Sequence, residues 1–240
     1  MEQEIPSTLV TRELIRSLEA LVAKQVDALA SKEDNRDDLL SARRVVVTDL
    51  LGTETMGHID EFGPSKFPDS TKLVGIYFSA PWGTSVRGLN IEIVFTNMRG
   101  LSRVKVECDR SNARELAHGI SKSVLECIAP HQTGNDWLHP KPFLSGVLFA
   151  FTWSSLWFSG MALGASSLGW ALLLAALFIA LLTYQWVLPR FRPYVAFDSR
   201  TSDRRKSWSD WAAKGFAGFL LFGTTLVLLK DYILKLIGAG

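Results

Sequence analysis

The sequence predicts an α+β domain (helix, four-stranded antiparallel meander sheet, helix) followed by an α-helical transmembrane bundle of two to three spans. Three observations predict it. Four runs between 44 and 109 alternate apolar and polar residues, the period of strands with one buried face. Two flanking segments, 11–30 and 112–128, carry apolar residues at helical spacing. Two stretches, 143–163 and 168–188, contain no charge at all. The 240 residues divide accordingly. Residues 1–142 hold 17 Lys+Arg and 20 Asp+Glu, a net of −3, while residues 143–240 hold 9 and 4, a net of +5. Two Cys exclude a disulfide scaffold, and the charge balance excludes a strongly basic duplex-binding protein.

Residues 1–38 comprise an N-terminal amphipathic helix and a linker. Leu14, Leu18, Leu21, Val22 and Leu29 form a stripe, with Arg12, Arg16, Glu19, Lys24 and Asp27 facing away. Such a helix lies on the domain's own sheet, or pairs with other subunits as a short coiled coil. Segment 31–38 is polar and charged. Residues 39–142 form the cytoplasmic domain and its connector. Strands are expected at 44–50, 73–80, 90–96 and 101–109. Val74, Ile76 and Phe78 share one face, as do Ile91, Ile93 and Phe95, and Val104, Val106 and Cys108. Arg103, Lys105, Glu107 and Asp109 take the opposite face. The connections 80–89 and 97–100 suit antiparallel hairpins, with Met98-Arg99-Gly100 as a tight turn. Ser111 or Asn112 caps a second helix with Leu116, Ile120, Val124 and Ile128 on its apolar face, and Pro130 ends it. Segment 131–142 is a stiff, turn-rich connector.

Residues 143–240 form the membrane half. Each charge-free stretch spans about 31 Å as a helix, against a hydrocarbon core of about 30 Å. The small, uncharged turn 164–167 joins the two helices as an antiparallel pair. A third span is expected at 211–237. Its uncharged part, 215–229, is short for a bilayer, so an interfacial helix is the alternative. Segment 189–214 carries seven Lys and Arg and the 164–167 turn none. The positive-inside rule then puts the basic loop 189–210 and the N-terminal domain in the cytoplasm, as in a multi-pass inner-membrane protein. Tyr184, Trp186, Trp208 and Trp211 suit interfacial anchors.

The chain carries no nucleophile elbow, P-loop, dinucleotide fingerprint or zinc-protease motif, so neither an enzyme nor a cofactor is expected. Cys108 and Cys127 suit reduced core residues. His131, Asp136 and His139 match no ligand spacing, so no metal is expected. The ligand candidates are Trp82, Arg87, Arg99, Arg103 and Lys105. Arginine pairs with phosphates bidentately and tryptophan stacks on bases. The competing reading is a solvated strand face on which Glu107 and Asp109 pair the cations, the commoner fate of charge runs. In the first span, Ser145, Thr152, Ser155 and Ser159 share a helical face. They either line a pore or cement helices together, with Thr224 and Thr225 of the third span as the second choice of lining. Trp137, Pro140 and Pro142 are placed to convey domain rotation to that span.

In outline, with a soluble domain at 1–142 and spans at 143–163, 168–188 and 211–237, the chain resembles membrane effectors of bacterial anti-phage systems. The Hailong-type channel effectors are the nearest family. The resemblance implies a homo-oligomer, with a tetramer favoured, in a lipid bilayer. It also implies ion flux and a nucleotide or single-stranded oligonucleotide ligand. Three spans are too few to enclose a conduction path alone, which independently calls for an oligomer. The alternative is a membrane-anchored adaptor that docks a cytoplasmic protein partner through Trp82 and the N-terminal helix, without transport.

Overall fold

The alternating runs pair into one antiparallel sheet. The computed structural model describes residues 1–32, 34–164, 168–187, 189, 192–199, 211 and 215. The chain divides into units Met1–Ser202 and Asp203–Gly240, and only Trp211 and Gly215 of the second are described. The expected third span, with Thr224 and Thr225, therefore lies outside the described residues. So do Arg190, Arg200, Arg204, Arg205, Lys206 and Lys214 of the basic loop.

The sheet comprises β1 (Glu2–Glu4), β3 (Arg43–Thr48), β4 (Thr53–Met56), β5 (Leu73–Ser79), β6 (Asn90–Thr96) and β7 (Arg103–Glu107). Its order is β1-β7-β6-β5-β3-β4, with every pairing antiparallel. It has six strands where the sequence predicts four. The extra two read Glu-Gln-Glu and Thr-Glu-Thr-Met. Both are short edge strands with no apolar alternation, added through backbone pairing such as Glu2↔Lys105 and Thr48↔Thr53. A separate ribbon pairs β2 (Thr8–Val10) in parallel with β8 (Val195–Phe197).

Two helices cover one face of the sheet. Helix α1 (Arg12–Leu29) is capped by Thr11, whose side chain accepts the Leu14 N–H at 3.1 Å. Its buried residues are Leu14, Ile15, Leu18, Val22 and Val26, together with Glu19, which the helical pattern places on the outward face but which turns inward to pair with Arg43. The apolar ones join Ala117, Ile120, Val124 and Ile128 of α3 (Ala113–Ile128) over the inward side chains of β3, β5, β6 and β7. The α1 stripe is thus buried in its own domain, not free to pair subunits. A short helix, α2 (Arg36–Ser41), interrupts the segment expected to be linker, with Asn35 as cap and Leu39 buried. Beneath α1, Arg43 and Glu19 form a buried ion pair at 3.5 Å. The Glu19 carboxylate also accepts the Ile59 N–H at 3.2 Å. Burial pushes the Glu19 pKa up despite these partners.

Helices α4 (Pro142–Gly164) and α5 (Leu168–Leu182) form an apolar hairpin, and α5 ends in a π-helical turn, Thr183–Val187. The segments Phe143–Gly164 and Trp170–Val187 are long and apolar enough to cross a membrane, with mean hydropathies of 1.3 and 1.9. Only 17% and 6% of their most apolar windows are buried, whereas the core helix of a soluble protein would be mostly covered. Phe151, Trp157, Trp170 and Ile179 are among the large side chains exposed. After α5 the chain returns to the α/β domain. Tyr194 and Val195 are fully buried, and the Phe197 ring packs edge-on against Phe67 at 6.0 Å. The Asp198 N–H donates to Val10 at 2.9 Å, and the Phe67 N–H donates to Asp198 at 3.0 Å. Residues 192–199, expected within an extended basic loop, therefore strap the far end of the hairpin to the domain.

Candidate functional site

The five sequence-predicted ligand residues do not converge. Trp82 and Arg87 lie in the β5–β6 loop, and Arg99 lies in the β6–β7 turn. The seven residues of β6 separate these two ends of the sheet by about 20 Å. Arg103 and Lys105 sit between them on the uncovered face.

That face is largely self-neutralised. The register aligns Arg44, Tyr77, Glu92, Lys105 and Glu2 across five strands. Arg103 donates to Glu2 at 3.4 Å and to Glu92 at 3.2 Å. Lys105 pairs with Glu107 at 2.8 Å, which holds the Glu107 carboxyl below its ordinary range. An added phosphate would have to displace these carboxylates. The Trp82–Arg87 pair is different. Trp82 is 82% exposed, and the Arg87 guanidinium lies 4.2 Å from its ring centroid. Among the described residues Arg87 forms no ion pair.

The span-one hydroxyls turn toward α5. Thr152, Ser155 and Ser159 are buried, while Ser145 is exposed. Ser159 donates to the Ala171 carbonyl at 2.8 Å. Thr152 accepts from the Gln185 side chain at 2.6 Å and donates to the Leu148 carbonyl at 2.8 Å. Ser155 donates to the Thr152 carbonyl at 2.7 Å. Each buried hydroxyl is satisfied within the hairpin, the arrangement of polar groups that fasten one helix to another. Facing α5, these three do not face an axis outside the hairpin.

The densest polar cluster lies where the domain meets the hairpin. It is centred on Arg99, in a turn that Gly100 permits with a φ of +81°. The Arg99 guanidinium pairs with Glu4 at 3.3 Å. It donates to the carbonyls of Asp136 and His139, in the connector that leads into α4. It also lies 5.4 Å from the ring centroid of buried Tyr194. The Tyr194 hydroxyl sits 3.0 Å from the Ile5 carbonyl and 3.2 Å from Glu4. Burial, Glu4 and Asp136 push its pKa well up, so it stays a neutral donor. His139 meets Tyr194 edge-on at 5.6 Å, and its Nε2 donates to the Arg192 carbonyl at 2.8 Å. The Asn135 side chain donates to Pro193 at 3.2 Å. The Tyr184 hydroxyl donates to the Trp137 carbonyl, and the two rings pack 5.9 Å apart.

Both ends of the hairpin are thus fastened to one polar hub. Sequence reasoning singled out Arg99, Trp137 as a transmitter and Tyr184 as an interfacial anchor, but missed Glu4 and Tyr194. The Tyr-Val-Ala-Phe run at 194–197 was the available signal, an apolar island in a basic segment. Asp136 and His139, considered as metal ligands, serve the hub instead, and the Asp136 carboxylate accepts the Ser7 N–H at 3.2 Å. Among the described residues, no three His, Cys, Asp or Glu side chains are grouped to hold a metal ion. No protein-family model, curated protein or solved structure matches the chain.

Proposed function

We propose that this chain is an integral inner-membrane protein whose cytoplasmic α/β domain controls an oligomeric helical assembly, gating ion flux or disrupting the membrane. The observation that carries this reading is the double fastening of the hairpin. A passive anchor needs one tether of any stiffness. Here α4 enters through carbonyls held by Arg99, and the segment after α5 is built into the domain as β8 and Tyr194. A change in the domain is then delivered to both helices at once. The exposed apolar surface of α4 and α5 supports membrane insertion, since α4, and α5 together with its π-helical turn, are long enough to cross a hydrocarbon core of about 30 Å.

The ligand class is a nucleotide or short single-stranded oligonucleotide, following the outline resemblance to anti-phage channel effectors. Trp82 and Arg87 are the best candidates to receive it, by base stacking and phosphate pairing. Arg103 and Lys105, engaged by Glu2, Glu92 and Glu107, are poorer ones. Purified protein in proteoliposomes tests the reading. A multimer in detergent, and ion flux that responds to oligonucleotide and falls in Arg99→Ala, support it. A monomer that conducts under no condition refutes it.

A membrane-anchored adaptor is the second reading, favoured by the exposure of Trp82. It predicts a monomer, no flux, and a protein partner lost in Trp82→Ala.

A further inference from the structure

We infer that the membrane-proximal end of the sheet is a lipid-docking surface, with two β-hairpin tips seated in the bilayer interface beside the helical hairpin. This rests on the proposal that α4 and α5 cross a membrane. The strand register places both tips at one end. Thr48 pairs with Leu73, and Leu73 with Thr96, so the ends of β3 and β6 lie in one row. The β3–β4 turn leaves from Thr48 and the β6–β7 turn from Thr96. Strand spacing sets the two turns about 14 Å apart. The second turn carries Arg99, whose bonds to Asp136 and His139 place this end against the start of α4.

The side chains at this end are the wrong ones for water. Leu51 is 95% exposed, Leu50 69%, Met98 61% and Leu101 54%. Trp137, exposed beside Tyr184, adds an aromatic residue of the kind enriched at membrane interfaces. Within residues 1–141 eight large hydrophobic residues are exposed, and these are five of them. Scattered apolar residues need no explanation, but a cluster at one end does. Lys72 and Lys141 are exposed at the same end and suit lipid phosphates. Of the nearby acids, Asp49 turns back to accept the N–H groups of Leu51 and Gly52, at 2.7 and 3.0 Å. Asp136 accepts from Ser7, Glu4 pairs with Arg99, and Glu54 faces solvent. The partner is a lipid surface because the apolar tips lie at the end of the domain that meets the start of α4 and the end of α5, the two candidate membrane spans.

Site-directed spin labelling of the full chain tests the inference. Cys108→Ala and Cys127→Ala provide the background. Single labels go at Leu51→Cys, at Trp82→Cys on the opposite end of the sheet, and at Phe151→Cys on the exposed side of α4. Each variant is reconstituted into phosphatidylcholine–phosphatidylglycerol vesicles. Collision with oxygen and with a water-soluble nickel chelate is then measured. The expected result is an oxygen-to-nickel ratio at residue 51 several-fold above that at residue 82, approaching the ratio at residue 151. Free nickel access at residue 51, with residue 151 still lipid-exposed, overturns the inference and leaves the membrane reading standing. Shielding of residue 51 from both reagents overturns it in favour of contact with a second copy. Nickel access at residue 151 overturns the membrane reading itself, and the docking surface with it.

Discussion

The strap can be separated from the hairpin it holds. His139 touches the Arg192 carbonyl at 2.8 Å, so the chain ends at 139 and 192 lie side by side. A short Gly-Ser loop can therefore replace residues 142–191, and ending the chain after Ser199 then removes the expected third span as well and leaves a version of the domain for study in water. Its counterpart ends at residue 141 and lacks the strap. Tyr194, Val195 and Phe197 are 2%, 0% and 8% exposed. Burying side chains of this size stabilises by about 1.5–3 kcal/mol each, so the strap contributes about 6 kcal/mol. A domain of ordinary stability holds about 5–15 kcal/mol in all. The strapless version should therefore be unfolded or close to it, while the linked version unfolds cooperatively. Urea titration followed by circular dichroism reads both. Equal midpoints for the two versions would refute the reasoning, because they would mean that β8 and Tyr194 only rest on a domain complete without them.

Arg43→Ala strands the buried Glu19 carboxylate and should cost about 3–5 kcal/mol in denaturant unfolding. Burial raises the folded pKa of Glu19, so between its ordinary value of 4.5 and that raised value the folded state holds the extra proton. This group's contribution to stability then falls as pH rises through that window, and Glu19→Gln should flatten the slope in a pH series of urea midpoints. Thr152→Val removes the acceptor of Gln185, and should weaken α4–α5 association by about 0.6 kcal/mol, with about 1.7 as a ceiling, in a micelle steric-trapping assay. A short bis-maleimide crosslink between cysteines at positions 137 and 184, in the background lacking Cys108 and Cys127, should leave flux intact. That joint is already closed by the Tyr184–Trp137 bond, and lost flux would locate the moving part there.

The long elements were legible because their periods are unambiguous. Leu14, Leu18 and Val22 repeat as a helix face does, and Ile91, Ile93 and Phe95 as a buried strand face does. The edge strands were not. Glu2 and Glu4 join the sheet through backbone pairing with Lys105 and Arg103 and through the side chains of Arg103 and Arg99, partners about 100 residues away in sequence, and nothing local marks them. The ligand patch failed as a constellation for a related reason. A period of two placed Arg103 and Lys105 on the solvent face, but only the register shows Glu2 and Glu92 beside them. The shared face of Thr152, Ser155 and Ser159 was legible too. Which neighbour it meets depended on the packing of α5, and the hydrogen bonds to Gln185 and Ala171 decide it.

The same bonds bear on how a signal would travel. Ser159 is tied to Ala171 near the turn between the helices, and Thr152 to Gln185 farther along the pair. Trp153 meets Phe178 between them at 6.1 Å. Sliding α4 past α5 would break several of these contacts and strand their polar groups in an apolar layer, where an unsatisfied group costs several kcal/mol on the order of the full desolvation penalty. The hairpin therefore behaves as one lever, held at its base by Arg99, Tyr184 and Tyr194. Rotation of the soluble domain tilts the pair as a unit. In an assembly of several copies such a tilt alters contacts between neighbouring hairpins before it alters contacts within one. Under the proposed gating function, the exposed faces of α4 and α5, with Phe151, Trp157 and Ile179, would be where a gate is made, and the buried hydroxyls would keep each lever stiff.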